Sequence, residues 1–180
     1  MSAPGLSGHG PIRQIAWVTG DLDAAIGDWR TMAGVGPWTV YRNVRLDGVF
    51  RGAPSTVTID VGLAYHHDMQ IELIMPHGTG PSPYHRADGS AMAGQHHVAW
   101  LVADFVAAVD TAIAAGLEPL FRAESGPATR VAYFVPAEGA NPLLELIEAT
   151  PALTEGFAQG IAAARGWEGD DPVTIIDLAS

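Results

Sequence analysis

The sequence predicts an α+β fold in which two copies of one βαβββ module share an open-barrel cleft, and three observations predict it. The first is an internal repeat. Residues 14–26, Gln14-Ile-Ala-Trp-Val-Thr-Gly-Asp-Leu-Asp-Ala-Ala-Ile, align without a gap on residues 97–109, His97-Val-Ala-Trp-Leu-Val-Ala-Asp-Phe-Val-Ala-Ala-Val, a self-similarity that marks a duplicated supersecondary unit. The second is that further blocks recur in the same order. Ala33-Gly34-Val35-Gly36-Pro37 faces Ala115-Gly116-Leu117-Glu118-Pro119, and Ile71-Glu72-Leu73-Ile74 faces Leu144-Glu145-Leu146-Ile147. The third is that each copy passes from a β-branched run to an Ala-rich stretch at helical spacing and back to β-rich runs.

The elements follow in chain order. Residues 12–19 and 97–102 are short apolar runs, read as strands buried on both faces. Asp21 and Asp104 then stand where helix N-caps belong, their carboxylates available to unpaired first-turn amides. The helices are expected over 22–32 and 105–115, ended by Gly34 and Gly116, because glycine accepts the left-handed cap conformation cheaply. Strands are expected at 38–42, 55–63 and 69–75 in the first copy and at 119–122, 130–135 and 143–147 in the second. The modules are thus 11–76 and 96–150. Residues 77–95, rich in Gly, Pro and Ser without periodicity, read as the linker. The tail, 151–180, is outside the repeat; 153–165 suits a helix and 173–178 an edge strand.

Composition narrows the function. The 180 residues suit one compact unit or two small modules sharing a core, and 48% apolar against 16% charged residues gives ample material to bury. Net charge is −11, with nine Arg and no Lys against twenty carboxylates, a field that repels phosphate backbones and anionic headgroups. Nucleic acid and membrane are therefore excluded as expected partners, and a small molecule is expected instead. The absence of cysteine removes disulfides, thiolate zinc sites and a Cys nucleophile. Neither a secretion signal nor a run of membrane-spanning length is visible, so a cytoplasmic protein is expected.

Two modules about a pseudo-twofold axis turn their open sheet faces toward one cleft, which makes polar residues within apolar strands the ones to weigh. Four occupy repeat-related positions: Gln14 and His97 in the first strands, Glu72 and Glu145 in the last. Burying such groups without partners costs several kcal/mol, on the order of 2–7. An amide oxygen, an imidazole and two carboxylates make a shell for one divalent ion, with zinc, nickel, cobalt, manganese and iron all compatible. Around this set, Arg42 and Arg122, on repeat-equivalent segments, suit either a clamp for a substrate anion or pairing with surface carboxylates. Trp38 and Tyr133 suit a pocket lining or the core, and His66 a contact at the cleft rim or plain solvent exposure. His96, one residue before His97, is expected on the opposite face of its strand.

The segments Gln14-Ile-Ala-Trp-Val-Thr-Gly-Asp, Gln70-Ile-Glu-Leu-Ile-Met-Pro, His96-His97-Val-Ala-Trp-Leu-Val-Ala-Asp and Leu143-Leu-Glu-Leu-Ile-Glu resemble the vicinal oxygen chelate superfamily, over about residues 12–148. That superfamily includes glyoxalase I, methylmalonyl-CoA epimerase, extradiol dioxygenases and bleomycin-binding proteins. The resemblance implies metal ligation by Gln14, Glu72, His97 and Glu145. This set looks like the zinc-type glyoxalase I pattern, whereas the paired histidines and Pro81-Ser-Pro-Tyr look like the epimerase branch. It implies an isomerase, epimerase or lyase acting beside a carbonyl through an enediolate-type intermediate stabilised by the metal, with Glu145 as first choice for the base and Glu72 as second. The alternatives are a metal-free ligand-binding or resistance protein of the same fold and, further behind, a ring-cleaving dioxygenase, which needs two histidines where Gln14 leaves one. A homodimer is expected, with all four ligands supplied by one chain.

Overall fold

The computed structural model describes residues 6–125, 129–136, 142–170 and 172–179. After a short 3-10 turn, Leu6–His9, the first module runs β1 (Gln14–Val18), α1 (Leu22–Ala33), β2 (Thr39–Phe50), β3 (Ala53–His66) and β4 (Met69–Pro76). The second repeats the order as β5 (Gly94–Val102), α2 (Phe105–Ala114), β6 (Glu118–Ser125), β7 (Thr129–Val135) and β8 (Leu143–Glu148). Helix α3 (Pro151–Arg165) and strand β9 (Thr174–Asp177) complete the chain. No helix among the described residues is long and apolar enough to cross a membrane.

The caps act as their residue types require. Asp21 accepts from the Ala24 N–H and Asp104 from the Ala107 N–H, each satisfying an amide that its helix leaves unpaired. Gly34 takes the left-handed conformation, φ 62°, that stops α1.

The strands run in the order β3-β4-β1-β5-β8-β7-β6-β2, with β2 and β3 also paired, so they bend into an open barrel. The modules meet at β1 and β5, antiparallel, and again at the seam of β2 with β6, confined to Leu46–Phe50 against 121–125. The rest of that β2 edge is taken by β9, parallel to Thr39–Arg42. Helices α1 and α2 cover the outer faces of their modules: Leu22 and Ile26 pack with Trp38, Val40 and Leu73, and Phe105 and Val109 with Phe134 and Leu146.

Two elements differ from expectation. Strand β2 extends eight residues past Arg42, because a bulge between Tyr41 and Val44, with Asn43 at φ 59°, carries the pairing through a polar stretch that reads as loop. The segment between modules is more than a linker: Ser82, Pro83, Tyr84 and His85 are all buried, and the Tyr84 ring joins the barrel core.

Candidate functional site

Strand register brings the four polar residues to one point. Gln14 lies opposite Gln70 and Ala16 opposite Glu72; in the second module His97 lies opposite Leu143 and Ala99 opposite Glu145. Side chains two apart on a strand share a face, so all four project inward. His97 Nε2 stands 3.0 Å from Gln14 Oε1, 3.2 Å from Glu72 Oε2 and 2.9 Å from Glu145 Oε2. His97 is fully buried, Gln14 and Glu145 nearly so, and Glu72 remains partly open to the cleft.

Each module orients its own donor. In the first, Gln14 Nε2 donates to Gln70 Oε1 at 2.7 Å and Gln70 Nε2 donates to the Tyr65 hydroxyl at 2.6 Å, which turns Gln14 Oε1 toward His97. In the second, the partner is His96. The pairing of β1 with β5 slips at this point, Ala16 facing His97 and Trp17 facing Gln95, so His96 is the extra residue of a bulge. It therefore does not take the opposite face expected from strict alternation. Its Nδ1 lies 2.9 Å from His97 Nδ1, and its Nε2 lies 2.8 Å from the Pro83 carbonyl.

Those contacts fix the protons. A carbonyl only accepts, so His96 Nε2 carries the hydrogen and His96 Nδ1 the lone pair. Burial, followed by the neighbouring His97, pushes the His96 pKa down to about 3, so the ring is neutral. His97 Nδ1 must then donate to His96, which leaves Nε2 of a neutral His97 with a lone pair aimed at three oxygen acceptors. Four lone pairs brought this close require a proton or a cation among them. A proton on Nε2 is one solution: burial lowers the His97 pKa, but Glu145 and Glu72 outweigh it and lift the value to about 9. Burial raises the Glu145 pKa, with His97 and the Tyr133 hydroxyl pulling against it.

A divalent ion would be another solution, and three oxygens with one imidazole nitrogen are donors of a type that such an ion accepts. Adjacent ligands around an octahedral ion with bonds of about 2.1 Å lie about 3 Å apart, which is the separation here between Nε2 and each oxygen. Among the described residues, no group of three or more His, Asp or Glu side chains is arranged to hold a metal ion as it stands. The donors are instead drawn together onto Nε2, and holding an ion would require them to spread.

The cluster forms one end of a cavity of about 460 Å³ inside the barrel. Of the side chains expected to contact substrate, Tyr133 lines it, its hydroxyl 3.0 Å from that of Tyr84. Burial holds both tyrosines well above the ordinary pKa, so both stay protonated. Trp38, Arg42, His66 and Arg122 do not line it. Trp38 is buried beneath α1, its Nε1 donating to the Val35 carbonyl. Arg42 turns outward at the β2 bulge and bridges Asp60 and Asp23. His66 ends β3 in solvent against His67, and Arg122 is exposed because Phe121 and Ala123 take the inner face of β6. The residues that sequence reasoning left aside are Gln70, Tyr84 and the tail's Leu153, Phe157 and Leu178, all of which line the cavity. Gln70 carried a usable signal, being a second amide in an apolar strand two positions before Glu72.

Residues 13–134 match the family described as the Glyoxalase/Bleomycin resistance protein/Dioxygenase superfamily. Among solved structures, methylmalonyl-CoA epimerase from Mycobacterium tuberculosis is similar at 17% identity and a TM-score of 0.52, covering 86% of this chain and 97% of that one. A hypothetical protein from Bacillus halodurans C-125 is similar at 13% identity and a TM-score of 0.52, covering 78% of this chain and 94% of that one. At such identities the likeness is one of fold. No curated protein sequence matches the chain.

Proposed function

We propose, for a chain that belongs to the glyoxalase/bleomycin resistance protein/dioxygenase superfamily, that Gln14, Glu72, His97 and Glu145 hold one divalent metal ion and that the protein is an isomerase, epimerase or lyase acting on a carbon beside a carbonyl. The observation that carries this reading is the convergence of three oxygen acceptors on the lone-pair nitrogen of His97. Zinc, nickel, cobalt, manganese and iron all suit mixed oxygen and imidazole ligation. Such an ion supplies electrostatic stabilisation for negative charge that develops on substrate oxygens.

The chain's own groups do the rest. Glu145, a buried carboxylate with a raised pKa, is suited to take the proton from the carbon next to the carbonyl. Glu72, from the other module and open to the cavity, is the second candidate. Gln70 and His96 hold the Gln14 oxygen and the His97 nitrogen in place, which preorganises the site before substrate arrives. The apolar walls keep water from competing for the proton.

The test has two parts. Metal analysis of purified protein should find about one ion per chain, lost in Glu145→Gln. A panel of carbonyl compounds in deuterated buffer, followed by proton NMR, should show exchange at the adjacent carbon that Glu145→Gln abolishes. Protein that takes up no metal from zinc, nickel, cobalt, manganese or iron refutes the reading. One observation favours the metal-free binding protein as second reading: a proton on His97 Nε2 also satisfies the three acceptors. Ligand binding with neither metal uptake nor isotope exchange selects it.

A further inference from the structure

We propose that the cleft takes an uncharged, largely apolar small molecule, and that helix α3 and the end of β9 form the wall that selects it; the inference rests on the reading of this cleft as the ligand site. The first support is the sign of the lining. Among the described residues, the charged side chains facing the cavity are Glu72 and Glu145, and no arginine or histidine faces it outside the cluster itself. Of the arginines close in sequence to the lining, Arg42 is committed to Asp60 and Asp23, Arg45 to Asp47 and Arg130 to Glu148, while Arg13, one residue before Gln14, lies over the Phe157 ring and is not among the lining residues. The residues outside the described set, 1–5, 126–128, 137–141, 171 and 180, include no basic type. A resident divalent ion neutralises the two carboxylates, and without one the cavity is acidic. In neither case does an anionic group held away from the cluster find the partner that a buried charge requires.

The second support is the wall. Leu153 and Phe157 are one helical turn apart on α3 and present one apolar face to the cavity, and Leu178 adds to it just past β9. The helix is seated rather than loosely laid across. The Phe157 ring meets Tyr65 edge-on at 5.5 Å between centroids, and the Arg13 guanidinium lies 5.7 Å from its centre. Gly160 makes this approach possible, since a Cβ there would stand 2.0 Å from the Tyr65 ring. These tail residues lie beyond the family-matched segment, 13–134, and outside the internal repeat. A volume of about 460 Å³ is in the range of pockets that take a small organic ligand.

The test compares two probes with the same ring skeleton: uncharged N-phenyl-1-naphthylamine, and 8-anilino-1-naphthalenesulfonate, which adds one sulfonate. Fluorescence titration of the full chain, chelator-treated and again with added Co²⁺, should show the uncharged probe binding at least tenfold more tightly. Leu153→Arg and Leu178→Arg should each shrink that ratio about tenfold by offering the sulfonate a partner. Leu178 is half exposed, so its variant carries the test if Leu153→Arg loses its helical circular dichroism. No binding of the uncharged probe, equal binding of both, or a ratio unchanged in Leu178→Arg overturns the inference. Metal content on the same preparations decides the preceding reading separately: a preference for the uncharged probe in protein that takes up no metal leaves this inference standing and removes that one.

Discussion

Metal affinity should depend steeply on pH, because the same nitrogen serves proton and ion. The perturbation is a pH change from about 8.5 to about 6.5 at constant ionic strength. The His97 pKa is about 9 in the metal-free protein, where Glu145 and Glu72 outweigh the effect of burial. Below that value Nε2 carries a proton that must leave when an ion binds, so affinity falls tenfold per pH unit and roughly a hundredfold over the interval. In the metal-free protein the same proton stabilises the fold. The folded pKa lies above the reference value of 6.5, so the contribution is complete below about pH 6.5 and lost as pH rises through about 9, with an upper bound of ~3 kcal/mol. Bound metal reverses the trend, since loading improves as pH rises. Isothermal titration with Co²⁺ in buffers of differing ionisation enthalpy measures both the affinity and the protons released, expected to be about one per ion near neutrality. Co²⁺ affinity that is flat between the two pH values, with no proton release, would refute the assignment of His97 Nε2 as the nitrogen that faces the ion.

Three further outcomes test other parts of the structure. His96→Phe removes the acceptor for the His97 Nδ1 hydrogen, and should lower thermal stability by about 1–3 kcal/mol and Co²⁺ affinity by about ten- to a hundredfold. Gly48→Ala places a Cβ 2.1 Å from the Arg122 carbonyl oxygen, so the β2–β6 seam must part; amide exchange over Leu46–Phe50 should accelerate, and stability should fall by about 1–3 kcal/mol. Asp60 has a depressed pKa: burial alone raises it, and the Asn43 N–H, His77 and Arg42 outweigh that. A depressed folded pKa gives stability that is present above the unfolded value and lost in acid, so Asp60→Asn should cost about 2 kcal/mol by denaturant melt at neutral pH, with the gap to wild type closing as pH falls through the Asp60 pKa.

The duplicated architecture was readable because its signals are local. Asp21 and Asp104 announce helix starts by chemistry alone, and the repeat-related Gln14, His97, Glu72 and Glu145 keep a parity that places them on one face. The failures occur where parity breaks. His96 joins His97 through a bulge that leaves no mark in composition, and Arg42 turns outward at another, where a carboxylate eighteen residues later in the chain, Asp60, receives it. Tyr84 illustrates a different limit. Its Gly- and Pro-rich neighbourhood reads as solvent-facing, yet Ser82 accepts from the Tyr84 N–H and pairs with His85, a local network that satisfies the backbone and lets the ring descend into the barrel. Trp38 sits one residue before β2 and Tyr133 in β7, and nothing in either residue type separates core from lining.

The wall made by α3 and β9 also bears on the order in which the protein is made. Every strand of the barrel, and every donor of the His97 cluster, precedes Pro151 in the chain, so a ribosome delivers the complete barrel before it delivers the wall. For that interval the newborn cavity is open along the side that Leu153, Phe157 and Leu178 later cover. Helix α3 then closes that side by settling against Tyr65, and β9 by pairing with β2.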